Sequence, residues 1–379
     1  MGKNKDISMK LIKAIATLSA FTILSRIFGL IRDILIASTL GQTGTADAFF
    51  MAFRLPNFFR RLFAEGAFNA AFVPTYTNLE YKQGRVGAIE GAENIKNLLI
   101  FIVGLLVIFV HIFVPQLMYF IVPGFVRTPE RFNLTIELTR ITFPSIFFMS
   151  LGALYTGILN SYNRFIAGIS APILLNIFTI LALVAFEKTL KTPSHVLSWA
   201  VLLATMCQFL WVKIATQFFG IKLCFRLPRL TESVRHMFRL IAPAATAASM
   251  IQINMLISSL FLSFMRPGAI AAFSYADRIN QFPLSLVGVA ISTALLPALA
   301  KEFQLKQVEE ALDTQNRALE LAYLLTFPAC AGLYTLSAEI ISAIYGRGSF
   351  TAQDIIDTGN ILATFTLGLP AYVMVKIFS

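Results

Sequence analysis

The feature that most restricts this chain is the recurrence of long windows almost free of charge. Separated by turn residues or charges, they fall near residues 13–39, 46–66, 97–121, 133–159, 168–187, 195–218, 236–264, 269–300, 318–345 and 357–379. A helix needs about 20 predominantly apolar residues to cross the hydrocarbon of a bilayer, and most of these windows are that long. The fold class they predict is all-α: a polytopic membrane helical bundle with about ten transmembrane helices. Composition agrees, because 57% of the 379 residues are hydrophobic and 13% charged, against about 45–50% and roughly 25% in ordinary globular chains. The 36 Phe and 11 Met would overfill a water-soluble core of this size. Nothing is left over for a soluble domain.

The first window begins like a signal peptide, with Lys3, Lys5, Lys10 and Lys13 ahead of an apolar run. It continues as helix-forming sequence to about Leu40 without a small-residue cleavage site, so it reads as a retained first span. The net charge of +11 would suit nucleic acid only if Lys and Arg clustered on a polar foldable module, and no such module is present. The basic residues instead gather in alternate connections. One set holds Lys3, Lys5, Lys10, Lys13, Lys82, Arg85, Lys96, Arg164, Lys222, Arg226, Arg229, Arg235, Arg239, Lys301, Lys306 and Arg317; the other holds only Arg127, Arg131, Lys188, Lys191, Arg266 and Arg347. By the positive-inside rule the N-terminus is expected on the cytoplasmic side of its membrane, with membrane lipids as its surroundings. Cys207, Cys224 and Cys330, like His111, His195 and His236, are scattered without metal-ligand spacing, so neither metal nor cofactor is expected. Paired acidic metal motifs and a catalytic His with an acid partner are missing too, which argues against a membrane enzyme.

The most basic connection, between residues 222 and 239, divides the chain into an N-lobe of six spans (1–221) and an incomplete C-lobe of about four (222–379). A repeat crosses this seam. Gly44, Ala48, Phe49, Ala52 and Arg54 recur at an offset of 224 as Gly268, Ala272, Phe273, Ala276 and Arg278. Six spans separate the copies, and an even number preserves direction, so the bundle is expected to be two-lobed with a parallel pseudo-repeat about the membrane normal.

Charge inside the first two spans is the other anomaly. Arg26, Arg32, Asp33, Asp47, Arg54, Arg60, Arg61 and Glu65 lie in segments otherwise fit for lipid, where each charge facing hydrocarbon costs several kcal/mol. They are expected to face a wet cavity or one another. At 100° per residue Arg26 and Asp33 lie within about 20° of one face, and Ser25 and Arg32 bear the same relation. Arg54 and Arg61 repeat the spacing around Pro56, which predicts a kinked second helix. Arg60 and Arg61 suit helix ends that snorkel to the interface as well as they suit a cavity. Asp33 and Asp47 fit salt-bridge partners or a coupling role, and Glu65 pairs most simply with Arg61. Arginines exceed carboxylates, so the cavity is positive; guanidinium forks hold phosphate oxygens in pairs, and the expected cargo is an anionic phosphate or diphosphate.

These charges lie in a recognisable text: Ser25-Arg26-Ile27-Phe28-Gly29-Leu30-Ile31-Arg32-Asp33, Thr45-Ala46-Asp47-Ala48-Phe49-Phe50, and Arg54-Leu55-Pro56-Asn57-Phe58-Phe59-Arg60-Arg61-Leu62-Phe63-Ala64-Glu65-Gly66-Ala67-Phe68. With Ala276-Asp277-Arg278 and Gly368-Leu369-Pro370-Ala371-Tyr372, the whole chain resembles the MurJ/MviN family of lipid II flippases, within the multidrug/oligosaccharidyl-lipid/polysaccharide exporters. The resemblance implies a two-lobed bundle that flips an undecaprenyl-diphosphate-linked peptidoglycan precursor, lipid II, from the cytoplasmic to the periplasmic face by alternating access. It implies cargo-binding roles for Ser25, Arg26, Arg32, Arg60 and Arg278. Supporting or coupling roles fall to Asp33, Asp47, Arg54, Arg61 and Asp277. The family's usual fourteen spans imply a second lobe that is incomplete at Ser379, putting a lipid-tail groove and a cation site known in relatives in doubt here. A flippase for another polyprenyl-diphosphate oligosaccharide, or a non-transporting membrane partner of cell-wall synthesis proteins, remain the alternatives.

Overall fold

The computed structural model describes residues 2–63, 67–186, 192–225, 231–285 and 307–378, together with 295, 299, 302, 304 and 305. Glu65, Lys188, Lys191, Arg226, Arg229, Lys301 and Lys306 of the sequence reading lie outside the described residues. The described residues form thirteen α-helices and one 3-10 turn, with no strand among them. By length and composition five can cross a membrane: Phe68–Ile121, Pro129–Ser161, Ile166–Phe186, Pro193–Phe218 and Val308–Thr335, and the pair Ala352–Leu367 and Leu369–Val375, bent by 46°, makes a sixth if it is one crossing. The expected all-α membrane bundle is thus observed, with ten spans an approximate count.

Two compact units divide the chain, the first comprising Met1–Ile36 and Gly44–Arg266, the second Ala37–Thr43 and Pro267–Ser379. The first is built from α1 (Gly2–Leu40, whose last residues belong to the second unit), α2 (Gly44–Phe63), α3 (Ala67–Ile121), the 3-10 turn Pro123–Arg127, α4 (Pro129–Thr142), α5 (Ser145–Ser161), α6 (Ile166–Phe186), α7 (Pro193–Phe218) and α8 (Glu232–Ser263). Proline opens α4 and α7, where its missing N–H has no intrahelical partner to lose. Within the expected span 133–159, Pro144 stops α4: Phe143 still donates to the Thr139 carbonyl, then Ile146 and Phe147 donate three residues back to Phe143 and Pro144.

The expected connection between the second and third spans is helical instead. Residues 67–83 and 85–121 are two helices joined at Gly84, whose φ of 71° and ψ of −177° are open to glycine and strained for side-chain-bearing residues. The chain doubles back there, because any side chain at Gly91 would meet Leu79. Phe68, Phe72, Tyr76 and Leu79 from one limb pack on Ala88, Ala92 and Ile95 of the other and on Leu154, Tyr155 and Ile158 of α5. The small alanines, one turn apart, leave room for the rings. Further along, Phe101, Leu105, Ile108, Phe109 and Ile112 are exposed, as a lipid-facing stripe requires.

The second unit contains α9 (Ala269–Pro283), α10 (Val308–Thr335), α11 (Ser337–Tyr345), α12 (Ala352–Leu367) and α13 (Leu369–Phe378). Thr351 and Asp354 start α12 with a reciprocal capping box, each side chain accepting the other's backbone N–H at 3.2 and 2.9 Å. Phe273 of α9 meets Phe365 of α12 edge-on, ring centroids 4.9 Å apart. The corner after α1 is stitched into this unit: Ser349 N donates to Ser38 O at 2.7 Å, Tyr275 Oη to Gly41 O at 3.2 Å, and Gln42 Nε2 to Asp354 O at 2.9 Å and Thr358 Oγ1 at 2.5 Å. Gly348 sits at φ 62° with its α-carbon against the Ser38 carbonyl. The repeated motif keeps its register, since Gly44 opens α2, Gly268 caps α9, and Ala48, Ala52, Ala272 and Ala276 are all buried.

Candidate functional site

On α1 the expected polar stripe is present and is organised by a residue of another helix. Arg32 donates from Nε (3.0 Å) and Nη2 (2.7 Å) to Asp33 Oδ1, and from Nη1 to Asn176 Oδ1 at 3.0 Å. Asn176, buried on α6, uses its Nδ2 to reach the Ser25 carbonyl at 3.0 Å. One amide thereby joins two points of α1 seven residues apart, both on the stripe, and fixes the plane of the Arg32 guanidinium. Arg26, next to Ser25, is exposed. Ser25, Arg32 and Asp33 are thus brought together through Asn176.

The charges of α2 separate to different partners. Asp47 is fully buried and receives Arg131 Nη2 at 2.5 Å, with both side chains almost without solvent contact. The Arg131 guanidinium also lies 3.5 Å over the Phe125 ring. Arg54 Nη1 donates to Ser259 Oγ of α8 at 2.6 Å. Arg60 Nε donates to Asn57 Oδ1 at 3.0 Å, and its side chain lines a cavity of about 190 Å³ with Asn69, Thr156, Pro172 and Gln208. Arg61 is exposed. Pro56 lies within α2 rather than ending it. A helical residue at 56 would donate to the carbonyl of Ala52, proline has no N–H to give, and Thr142 Oγ1 of α4 donates to that carbonyl at 2.7 Å.

In the second unit, Asp277 accepts a hydrogen bond from Gln281 Nε2 at 2.6 Å, and its neighbour Arg278 is half-buried on α9. No group of three or more His, Cys, Asp or Glu side chains is placed to hold a metal among the described residues. The sequence reading did not single out Asn176, Ser259 or Arg131 as site residues. The signal that could have found Asn176 is that it is the lone polar amide of the 168–187 window. Arg131 is expected in the connection ahead of the 133–159 span, whereas the helix starts at Pro129 and contains it.

A family model described as lipid II flippase MurJ matches residues 36–379. A Rhizobium tropici protein described as a probable lipid II flippase MurJ is 42% identical over 372 residues, covering 97% of this chain and 70% of the relative. Among solved structures, a lipid II flippase MurJ in an inward closed conformation aligns at a TM-score of 0.81 and 29% identity, over 95% of this chain and 74% of that one. An inward-facing multidrug resistance transporter of the MATE family shares the fold at a TM-score of 0.70 and 16% identity, over 96% and 84% of the two chains.

Proposed function

The chain belongs to the lipid II flippase MurJ family, and from that premise we propose that it moves lipid II, the undecaprenyl-diphosphate-linked peptidoglycan precursor, from the cytoplasmic to the periplasmic leaflet by alternating access. It is a transporter and not an enzyme. The observation that carries the reading is the surplus of guanidinium on α1 and α2: Arg26, Arg32, Arg54, Arg60 and Arg61 stand against Asp33 and Asp47, and each carboxylate already holds an arginine. Positive charge in excess of its local counter-ions fits a diphosphate, whose oxygens take paired N–H donors.

In this reading Arg26 and Arg60 touch the cargo, with Ser25 beside them. Arg32 presents a guanidinium held in one plane by Asp33 and Asn176, and Arg278, the counterpart of Arg54 on the second copy of the repeat, is the further cargo arginine. Asp33, Asp47, Arg54, Arg61 and Asp277 support the arrangement. Residues 1–221 and 222–379 are the duplicated lobes, which need not coincide with the compact packing units. The N-terminus lies in the cytoplasm, and the enzymes that polymerise the precursor on the far side are the partners. The test is flipping of fluorescent lipid II by the purified protein in vesicles. Because an ammonium lacks the paired donors of a guanidinium, Arg26→Lys should slow flipping and Arg26→Ala slow it further. Wild-type rates in Arg26→Ala, or equal flipping of an unrelated polyprenyl-diphosphate glycan, would overturn the reading.

A further inference from the structure

At the end of α5, the start of α6 and the end of α7, the first unit carries a groove of about 520 Å³, well within the usual range for small-molecule sites, about 300–1,000 Å³. Its walls include Phe165 and Ile166 from the α5–α6 corner and Trp211, Ala215 and Phe218 along α7, with Arg164 at the mouth. Trp211, Ala215 and Phe218 follow a helical spacing of four and three residues, forming a rail about 10 Å long. The indole is fixed, Nε1 donating to Ser170 Oγ at 3.1 Å, while Phe165, Ile166, Trp211 and Phe218 are exposed. Because α6 and α7 are long and apolar enough to cross a membrane, their ends lie at the height of lipid headgroups.

Two guanidinium groups contact Phe219, which lines the groove. The Arg164 guanidinium stands 5.4 Å over the Phe219 ring, and Arg85 Nη2 donates to the Phe219 carbonyl at 3.1 Å. Neither has a carboxylate partner among the described residues, and no carboxylate lines the groove. Glu80, five residues before Arg85 and across the Gly84 reversal, is engaged by Tyr162, whose hydroxyl donates to Oε1 at 2.7 Å. Burial raises the pKa of that hydroxyl, so the proton stays on the tyrosine.

We propose that this groove binds one anionic phospholipid, an acyl chain lying along Trp211, Ala215 and Phe218 and the headgroup phosphate between Arg164 and Arg85. Charge complementarity selects the occupant: a zwitterionic lipid brings its own cation to a mouth that already holds two. The site is independent of the cargo, and its test does not require flipping.

The chain has two tryptophans, so Trp199→Phe leaves Trp211 as the sole reporter. Its fluorescence is followed in phosphatidylcholine vesicles with increasing mole fractions of phosphatidylglycerol or phosphatidylcholine carrying brominated, quenching acyl chains. Brominated phosphatidylglycerol should quench at a mole fraction about 25-fold lower, each of the two guanidinium groups contributing about fivefold. Arg164→Gln and Arg85→Gln should each reduce the preference and together remove it. Quenching by brominated phosphatidylcholine should stay unchanged in these variants, showing that they are folded and the groove intact. Equal quenching by both lipids in the Trp199→Phe protein, or a preference surviving in the double variant, overturns the proposal. Loss of the preference on adding millimolar inorganic phosphate also overturns it, in favour of a site for free anions.

Discussion

Asp47 and Arg131 meet where solvent does not reach, so changing either side chain breaks a buried ion pair. Their atoms are 2.5 Å apart, with side-chain exposures of 0% and 5%. Removing one member of such a pair costs about 3–5 kcal/mol, because the remaining ion is left in a low-dielectric interior. Asp47→Asn keeps the shape and takes the carboxylate from Arg131, whereas Arg131→Met takes the guanidinium from Asp47. Asp47→Leu with Arg131→Met removes both charges. It also trades the guanidinium over Phe125 for a sulfur–ring contact, worth about 0.3–1.5 kcal/mol, and removes the buried Arg131 Nε that has no hydrogen-bond partner. The double variant should therefore lie near wild type, with a coupling energy of about 3 kcal/mol or more. Equilibrium unfolding in mixed micelles against rising dodecyl sulfate fraction measures all the variants. Additive losses within about 0.5 kcal/mol, the margin expected for independent sites, would show that the contact contributes nothing. The same proteins separate two roles for Asp47. A stable double variant that still flips lipid II makes the pair structural, and one that is stable and inactive gives Asp47 a part in coupling.

Thr142→Val should destabilise by about 1–3 kcal/mol, the cost of a buried carbonyl without a donor, and Pro56→Ala in the same chain should restore most of it by returning an N–H to Ala52; the same unfolding titration reads both. Gly348→Ala should lower the monodisperse fraction on size-exclusion chromatography, since its left-handed φ penalises a side chain by about 1–2 kcal/mol and the new methyl would press on the Ser38 carbonyl. Asn176→Ala, which frees Arg32 and the Ser25 carbonyl, should weaken binding of lipid II by about tenfold, a charged-group hydrogen bond being worth about 1.5–3 kcal/mol, while Asn176→Gln recovers part of it; unchanged affinity in the alanine variant would leave Asn176 a packing residue.

The helical character of the chain was legible because membrane spans announce themselves by length alone, and the charges of α1 and α2 stood out against that background. Partnership was harder to read. Arg32 and Asp33 are neighbours in sequence, so their bond was within reach, but Asn176 stands 144 positions away in an apolar window with no spacing partner. Lys96 looked like a connection cation because Lys82, Arg85, Glu90 and Glu93 precede it. It is in fact buried, donating to the Cys224 carbonyl at 2.7 Å while Glu93 accepts the Cys224 N–H. Charges that anchor a distant backbone segment and charges that face water leave the same trace in one dimension. Pro56, expected to kink the second helix, lies inside α2, and the donor that replaces its missing N–H comes from Thr142, about ninety residues on, a partner that the sequence could not reveal.

The reversal at Gly84 reaches beyond its own neighbourhood. Run straight, the 55 residues of α3 would make a rod of about 80 Å, more than twice the hydrocarbon thickness. Folded back, the same residues send the chain toward the face it had just left, and every later crossing inherits that heading. Direction in a serial bundle is a parity, flipped at each turn and never corrected downstream. One backbone of left-handed sense, occupied by the residue that tolerates it most easily, therefore carries a bit of information on which the sidedness of the remaining spans depends.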